Sequence, residues 1–291
     1  KFKFIIPIAT INFDWKDIYS DQSNNLKNLK YNNYNKLIFK SKKLTRYKMY
    51  NYILFEENNL ITSDQKGNII IFSVNNNKVI NKFNFYKKKY KKIVKYLNII
   101  VEQNIVYVSD NLGYLYAFNY KTNKVIWAKK YKVPFRSNLK LSKSKLFASD
   151  QNNNLYFFNK KTGDILNLIP TEETNINSQF INNLSSNGNV LIFLNTYGSL
   201  YSIDISSSKI NWFVNLNQST NTNANNLYNG SEVVIDKDKV ILSSNRSTHV
   251  FNINTGAEIF KKNFSTNIKP IIINNYLFII TKNDLLISID I

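Results

Sequence analysis

Short runs of alternating hydrophobic and polar positions dominate the chain, and one arrangement of them recurs. Its clearest copy is IVYVSDNLGYLYAFNYKTNKVIWAKKY, residues 105–131. Residues 105–109 are apolar and β-branched, which predicts a short strand. Asp110 opens a turn, and Gly113 supplies the left-handed residue that ends it. Residues 114–120 alternate large apolar side chains with other types, the period of a strand with two distinct faces. A second turn at Thr122-Asn123 leads into 124–130, a strand whose alternation predicts Val125 and Trp127 on one face.

The copies keep register. Counted from the turn-ending position, the spans Gly67 to Asn81, Gly113 to Trp127, Asn153 to Asn167, Gly198 to Trp212 and Arg246 to Phe260 are all 14 residues. The second turn recurs in step, as Thr162-Gly163, Ser207-Ser208 and Thr255-Gly256. A further copy opens at Asp284 and reaches Ile291 before its last strand. A repeat of roughly 40–50 residues made of four short strands predicts an all-β fold, a β-propeller of four-stranded antiparallel blades. About six blades are represented, with seven or eight in an untruncated parent, and residues 115–120 with their counterparts fall on inner strands.

Residues 1–34 stand outside the repeat as an irregular lead-in, and 35–291 form the propeller. Within the lead-in, FIIPIATINF could add one edge strand, since Pro7 excludes a central place. Residues 21–33, polar and Asn-rich, read as a surface loop. The stretch NKLIFKSKKL (35–44) aligns with 123–132 and puts Phe39 at the place of Trp127. It is a fourth strand without predecessors. It could complete the last blade and remove the edges an open ring would expose; a chain truncated at both ends is the alternative.

Composition narrows the function classes. Seven Gly and 4 Pro are few for an all-β chain of 291 residues, so Asn must serve at left-handed turn positions. The absence of Cys removes disulfides, thiolate nucleophiles and Cys-based metal sites. No apolar run is long enough for a membrane-spanning helix. Residues 4–9 are too short for a signal-peptide core, and the first residue is Lys, so a leader was removed or the sequence is a fragment. Lys and Arg number 39 against 19 Asp and Glu, a formal charge of +20. That charge would suit nucleic acid, an anionic membrane or an acidic protein. The lysines are spread over every segment, however, and the richness in Lys, Asn, Ile, Tyr and Phe matches the codon bias of an AT-rich genome. Only KKKYKKIVKY (87–96) has the composition of a single-stranded nucleic-acid surface, and one loop is not a groove.

Links from each fourth strand to the next blade are the long ones: 87–95, 132–137, 170–178, 218–230 and 265–269. In a propeller they share one face, where binding residues concentrate on a rigid scaffold. Candidate partner contacts there are Leu227 and Tyr228 in the longest link, Glu172 and Glu173 in another, and Tyr90 among the lysines. Other chemistry is thin. His249, the single histidine, falls mid-strand opposite Tyr116 and Tyr201, a packing position. Adjacent carboxylates such as Glu56-Glu57 point to opposite faces of a strand and cannot flank one bond. Asp64, Asp110 and Asp150 recur three residues before each turn end, which marks turn structure. No phosphate loop or serine elbow is present.

The motifs GYLYAFNYKTNKVIW, NLYFFNKKTGDIL, GSLYSIDISSSKINW and HVFNINTGAEIF resemble the pyrroloquinoline-quinone-type propeller repeat, whose consensus is G-x-L-Y-A-L-D-x-x-T-G-x-x-x-W. The resemblance covers 35–291 and implies the propeller fold. The repeat is shared by quinoprotein dehydrogenases and by non-enzymatic BamB-like scaffolds of outer-membrane assembly. The dehydrogenase branch implies adjacent cysteines, calcium-binding carboxylates and a catalytic Asp, none of which can be placed here. The scaffold branch implies no catalytic residue, cofactor or metal. It implies a periplasmic location on the outer membrane, held by a lipid anchor upstream of Lys1, and a protein partner, such as a component of the β-barrel assembly machinery. A quinoprotein and a polyanion-binding propeller are the alternatives.

Overall fold

A computed structural model describes residues 5–31, 37, 40–86, 90–173, 181–217 and 227–291. It shows an all-β chain of six antiparallel sheets in sequence order. Sheet 1 holds β1 (Leu54–Glu56), β2 (Asn59–Ser63), β3 (Asn68–Ser73) and β4 (Lys78–Asn84). Sheet 2 holds β5 (Leu97–Glu102), β6 (Ile105–Asp110), β7 (Tyr114–Asn119) and β8 (Lys124–Lys130). Sheet 3 follows with β9 (Lys140–Ser142), β10 (Lys145–Ser149), β11 (Leu155–Asn159) and β12 (Ile165–Ile169). Sheet 4 is β13 (Asn183–Ser186), β14 (Val190–Leu194), β15 (Ser199–Asp204) and β16 (Ile210–Asn215). Sheet 5 is β17 (Val234–Asp236), β18 (Lys239–Ser243), β19 (Thr248–Asn252) and β20 (Glu258–Lys262). Sheet 6 has three strands, β21 (Ile271–Ile273), β22 (Tyr276–Ile280) and β23 (Leu286–Asp290). The closing strand expected at 35–44 falls largely outside the described residues, Phe39 included; 40–44 form no strand.

Sheets 1 to 5 bury both faces of their middle strands. β3 is buried along its whole length, and the fourth strands are largely exposed. The core is therefore a set of interlayers. Five apolar clusters join successive sheets, from Ile61, Ile69 and Phe118 between sheets 1 and 2 to Ile241, Val250 and Leu277 between sheets 5 and 6.

The recurring aspartates close the β2–β3 type turns. Asp110 Oδ1 accepts the N–H groups of Leu112 and Tyr114, both at 2.8 Å, and Asp64 and Asp150 repeat the pattern. Asn195 does the same in sheet 4, holding Tyr197 and Ser199 at 3.0 Å. Asn153 ends its turn at φ 65° without a glycine, as its tolerance of that region allows.

Two expectations are corrected. Val125 and Trp127 do not share a face, because a bulge intervenes: Phe118 pairs with Val125 and Ala117 with Trp127, leaving Ile126 over. Val125 is 38% exposed and Trp127 only 9%. The polar stretch starting at Asp21 is not all surface loop. Asn24 and Asn25 are buried, with their amides bonded to first strands of sheets 4 and 6. The expected N-terminal edge strand is also missing; residues 5–13 make one parallel bridge, Thr10 to Leu29.

Candidate functional site

The fourth-to-first links and the aspartate turns lie on one face, since strand direction alternates within every sheet. A cleft of about 450 Å³ opens there between sheets 2, 3 and 4, lined by Tyr96, Asn98, Asn111, Pro134, Phe135, Arg136, Gln151 and Ile181. Its frame is local. The Asn111 side chain accepts the Tyr96 N–H at 2.8 Å and donates to Val94 O at 3.1 Å, tying one link to a turn. Phe135 N donates to Asp110 O at 3.0 Å and Gln151 N to Pro134 O at 2.9 Å, fixing the next link on both sides. Phe135 is buried beneath, while Tyr96 and Ile181 are 56% and 48% exposed at the rim.

Arg136 is the unusual group. Its backbone N–H donates to Ser149 O at 2.9 Å. Its half-buried guanidinium has no hydrogen-bond or ion-pair partner among the described residues, and burial alone pulls its pKa down. A desolvated, unpaired cation is costly. A forked donor in an apolar cleft fits a carboxylate presented by another molecule. Sequence reasoning missed it, although a signal existed: Arg136 is one of three arginines in a chain that otherwise uses Lys.

The predicted contacts sit in three different links. Tyr90, between sheets 1 and 2, shares a hydroxyl contact of 3.1 Å with Tyr114, and Lys95 donates to its carbonyl. Residues 87–89 of that basic run lie outside the described residues. Glu172 accepts from Ser199 Oγ at 2.6 Å, Tyr201 OH at 2.8 Å and Asn195 Nδ2 at 2.8 Å. Burial pushes its pKa up, yet these bonds together outweigh it and hold the carboxyl below the usual range. Glu173 is exposed, its carbonyl accepting from Tyr197 OH at 3.2 Å. Leu227 is half-buried, and 218–226 and 174–178 lie outside the described residues. Tyr228, expected on a rim, is only 2% exposed. Its hydroxyl donates to Ser243 O at 2.6 Å and its ring joins the core between sheets 4 and 5, so it presents no surface.

His249 bridges Ser244 Oγ, 3.2 Å from Nε2, and Glu258 Oε1, 2.6 Å from Nδ1. The order is that of a serine–histidine–acid relay, but its exposure is inverted. The hydroxyl end is buried and bonded inside its own turn, while the carboxylate end is 38% exposed. Acyl transfer needs the reverse. No group of three or more His, Asp or Glu able to hold a metal occurs among the described residues.

Six successive four- and three-stranded antiparallel sheets, joined by links that share one face, define a propeller of the pyrroloquinoline-quinone-like repeat class. The family model described as outer membrane protein assembly factor BamB matches residues 65–291, and the chain belongs to that family. Among solved structures it resembles BamB from Moraxella catarrhalis, at TM-score 0.68 and 11% identity over 82% of this chain and 71% of that one. It also resembles the computationally designed Ika8 protein, at TM-score 0.64 and 13% identity over 82% and 70%. No curated protein sequence matches it.

Proposed function

We propose that the chain is a non-catalytic protein-binding scaffold of the bacterial cell envelope, acting on the periplasmic side in outer-membrane β-barrel assembly. Family membership supports the setting. The observation that carries the binding mode is Arg136, a cation without a hydrogen-bond or ion-pair partner among the described residues, in an apolar cleft on the link face. Its partner segment brings a carboxylate to Arg136 and an apolar side chain to the rim at Tyr96 and Ile181. Leu227, Glu172, Glu173 and Tyr90 extend the same face around the ring.

The test is Arg136→Ala in the full chain, with photo-crosslinking from Tyr96 in a Gram-negative host. Partner affinity is expected to fall by roughly 2 kcal/mol, about thirtyfold. Thermal stability should hold or rise, because a half-buried charge with no partner among the described residues is removed. Unchanged recovery would move the docking site elsewhere; recovery of cytoplasmic partners alone would count against the envelope setting. Titration with pyrroloquinoline quinone and calcium is expected to give no spectral change, and saturable binding would favour an enzyme.

A further inference from the structure

The first strand of every sheet is an edge strand, the axial one in a propeller blade, and among the described residues no further strand pairs with its free edge. Residues 15–25 run along these edges in ring order and bond them through backbone and side-chain groups. Trp15 exchanges both backbone hydrogen bonds with Phe55 of β1, at 2.7 and 2.8 Å, and Lys16 O accepts from Val101 of β5 at 3.0 Å. Lys140 of β9 sets its ammonium 2.7 Å from the Asp17 carboxylate and 3.1 Å from Asp21 O, with Asn24 Oδ1 as a third acceptor. Gln22 O accepts from Ser186 of β13 at 2.8 Å, and Ser23 O from Ile235 of β17 at 2.9 Å. Asn25 closes a two-bond pair with Ile272 of β21, at 2.9 and 3.2 Å.

A second observation bears on the ring itself. Five buried apolar clusters join successive sheets, and among the described residues none joins sheet 6 back to sheet 1. The axial segment is bonded at one end to β1 and at the other to β21. Its grip is mostly polar, with Trp15 and Ile18 packed on the apolar cluster between sheets 1 and 2. Lys140 and Asp17 are both buried, so losing either leaves an uncompensated charge.

We propose that the axial channel is a strand-binding site whose resident ligand is residues 15–25, and that this segment ties the ring across the seam between its first and last sheets. The site recognises an extended peptide by its backbone, by a carboxylate at Lys140 and by carboxamides at β13 and β21. Asn25→Ala in the full chain is expected to speed amide exchange at Ile272 by on the order of tenfold or more, with residues 97–130 unchanged. Unaltered protection at Ile272 would overturn the tie. Asp17→Lys should eject the segment, so that this chain binds a synthetic peptide of residues 14–25, DWKDIYSDQSNN, while the wild-type chain does not. A folded Asp17→Lys chain that ignores the peptide, or equal binding by both chains, would overturn the site. Should Asp17→Lys fail to fold, adding Lys140→Glu must restore folding, and continued unfolding of the double variant would also overturn it.

Discussion

Trp127 and Gly163 belong to successive copies of the repeat, and they are one packing unit. A Cβ on Gly163 would lie 2.5 Å from the Trp127 ring, and one on Gly256 would lie 2.7 Å from Trp212. The indole N–H groups donate into the same turns, to Lys160 O at 3.0 Å and Ile253 O at 2.7 Å. Where Asn replaces Trp, the facing turn has no glycine. Asn81 donates to Tyr120 O at 3.0 Å beside Asn123, and Asn167 to Ser208 O at 3.4 Å. Asn81 and Asn167, read one copy at a time, look like eroded tryptophans; read across the seam, each matches its partner. Gly163→Ala is expected to cost roughly 1–3 kcal/mol in urea unfolding, from overpacking and the left-handed φ of 76°. Asn81→Trp should be tolerated only together with Asn123→Gly, with a coupling of roughly 0.5–3 kcal/mol in a double-mutant cycle. The spacing was visible in the sequence. The contact was not, because periodicity within a copy says nothing about what the neighbouring copy presents.

Every complete fourth strand carries the same irregularity. The pairings Ile71–Asn81 and Phe72–Val79, Phe157–Asn167 and Phe158–Ile165, and Ser202–Trp212 and Ile203–Ile210 each leave one residue over, as Ile126 is left over in β8. The bulge turns the following side chain toward the next sheet, and the extra residue faces solvent. Strand count, turn positions and the aspartate turns were legible, since period and turn chemistry are local properties. The bulge was not, because an alternating pattern read across it assigns Val125 to the wrong face. The axial segment was hidden for another reason. Its carboxamides satisfy buried backbone groups, and composition cannot distinguish that from a solvated loop. Deleting Ile126 is expected to throw Trp127 out of its seam and cost about 3 kcal/mol or more, the scale of losing a buried aromatic. Ile126→Thr keeps the bulge and should stay within about 0.5 kcal/mol of the parent. Denaturant midpoints of the two variants check the contrast.

At the scale of the molecule, the +20 charge and the Arg136 cleft are separate features. Lysines flank the outer fourth strands, as Lys78 and Lys82 in β4, Lys124 and Lys130 in β8, and Lys261 and Lys262 in β20. There they sit beside exposed apolar residues such as Ile80, Ile126 and Ile259, and lysine on an edge strand discourages pairing with another chain. A ring charged this way repels itself, and salt screens that repulsion over about 8–10 Å at physiological strength. Raising salt from low to physiological strength is therefore expected to raise the thermal midpoint of the free chain. A carboxylate held at Arg136 is partly desolvated and screened less, so partner recovery should fall only modestly over the same range. A polyanion bound by scattered lysines would behave otherwise, losing several orders of magnitude in affinity as counterions cease to be released favourably. Binding measured against salt for both the partner proposed above and a single-stranded oligonucleotide separates the two. Oligonucleotide binding that persisted at physiological salt would assign the charge a recognition role; its disappearance there, with the partner retained, leaves the lysines to edge protection and the recognition to the cleft.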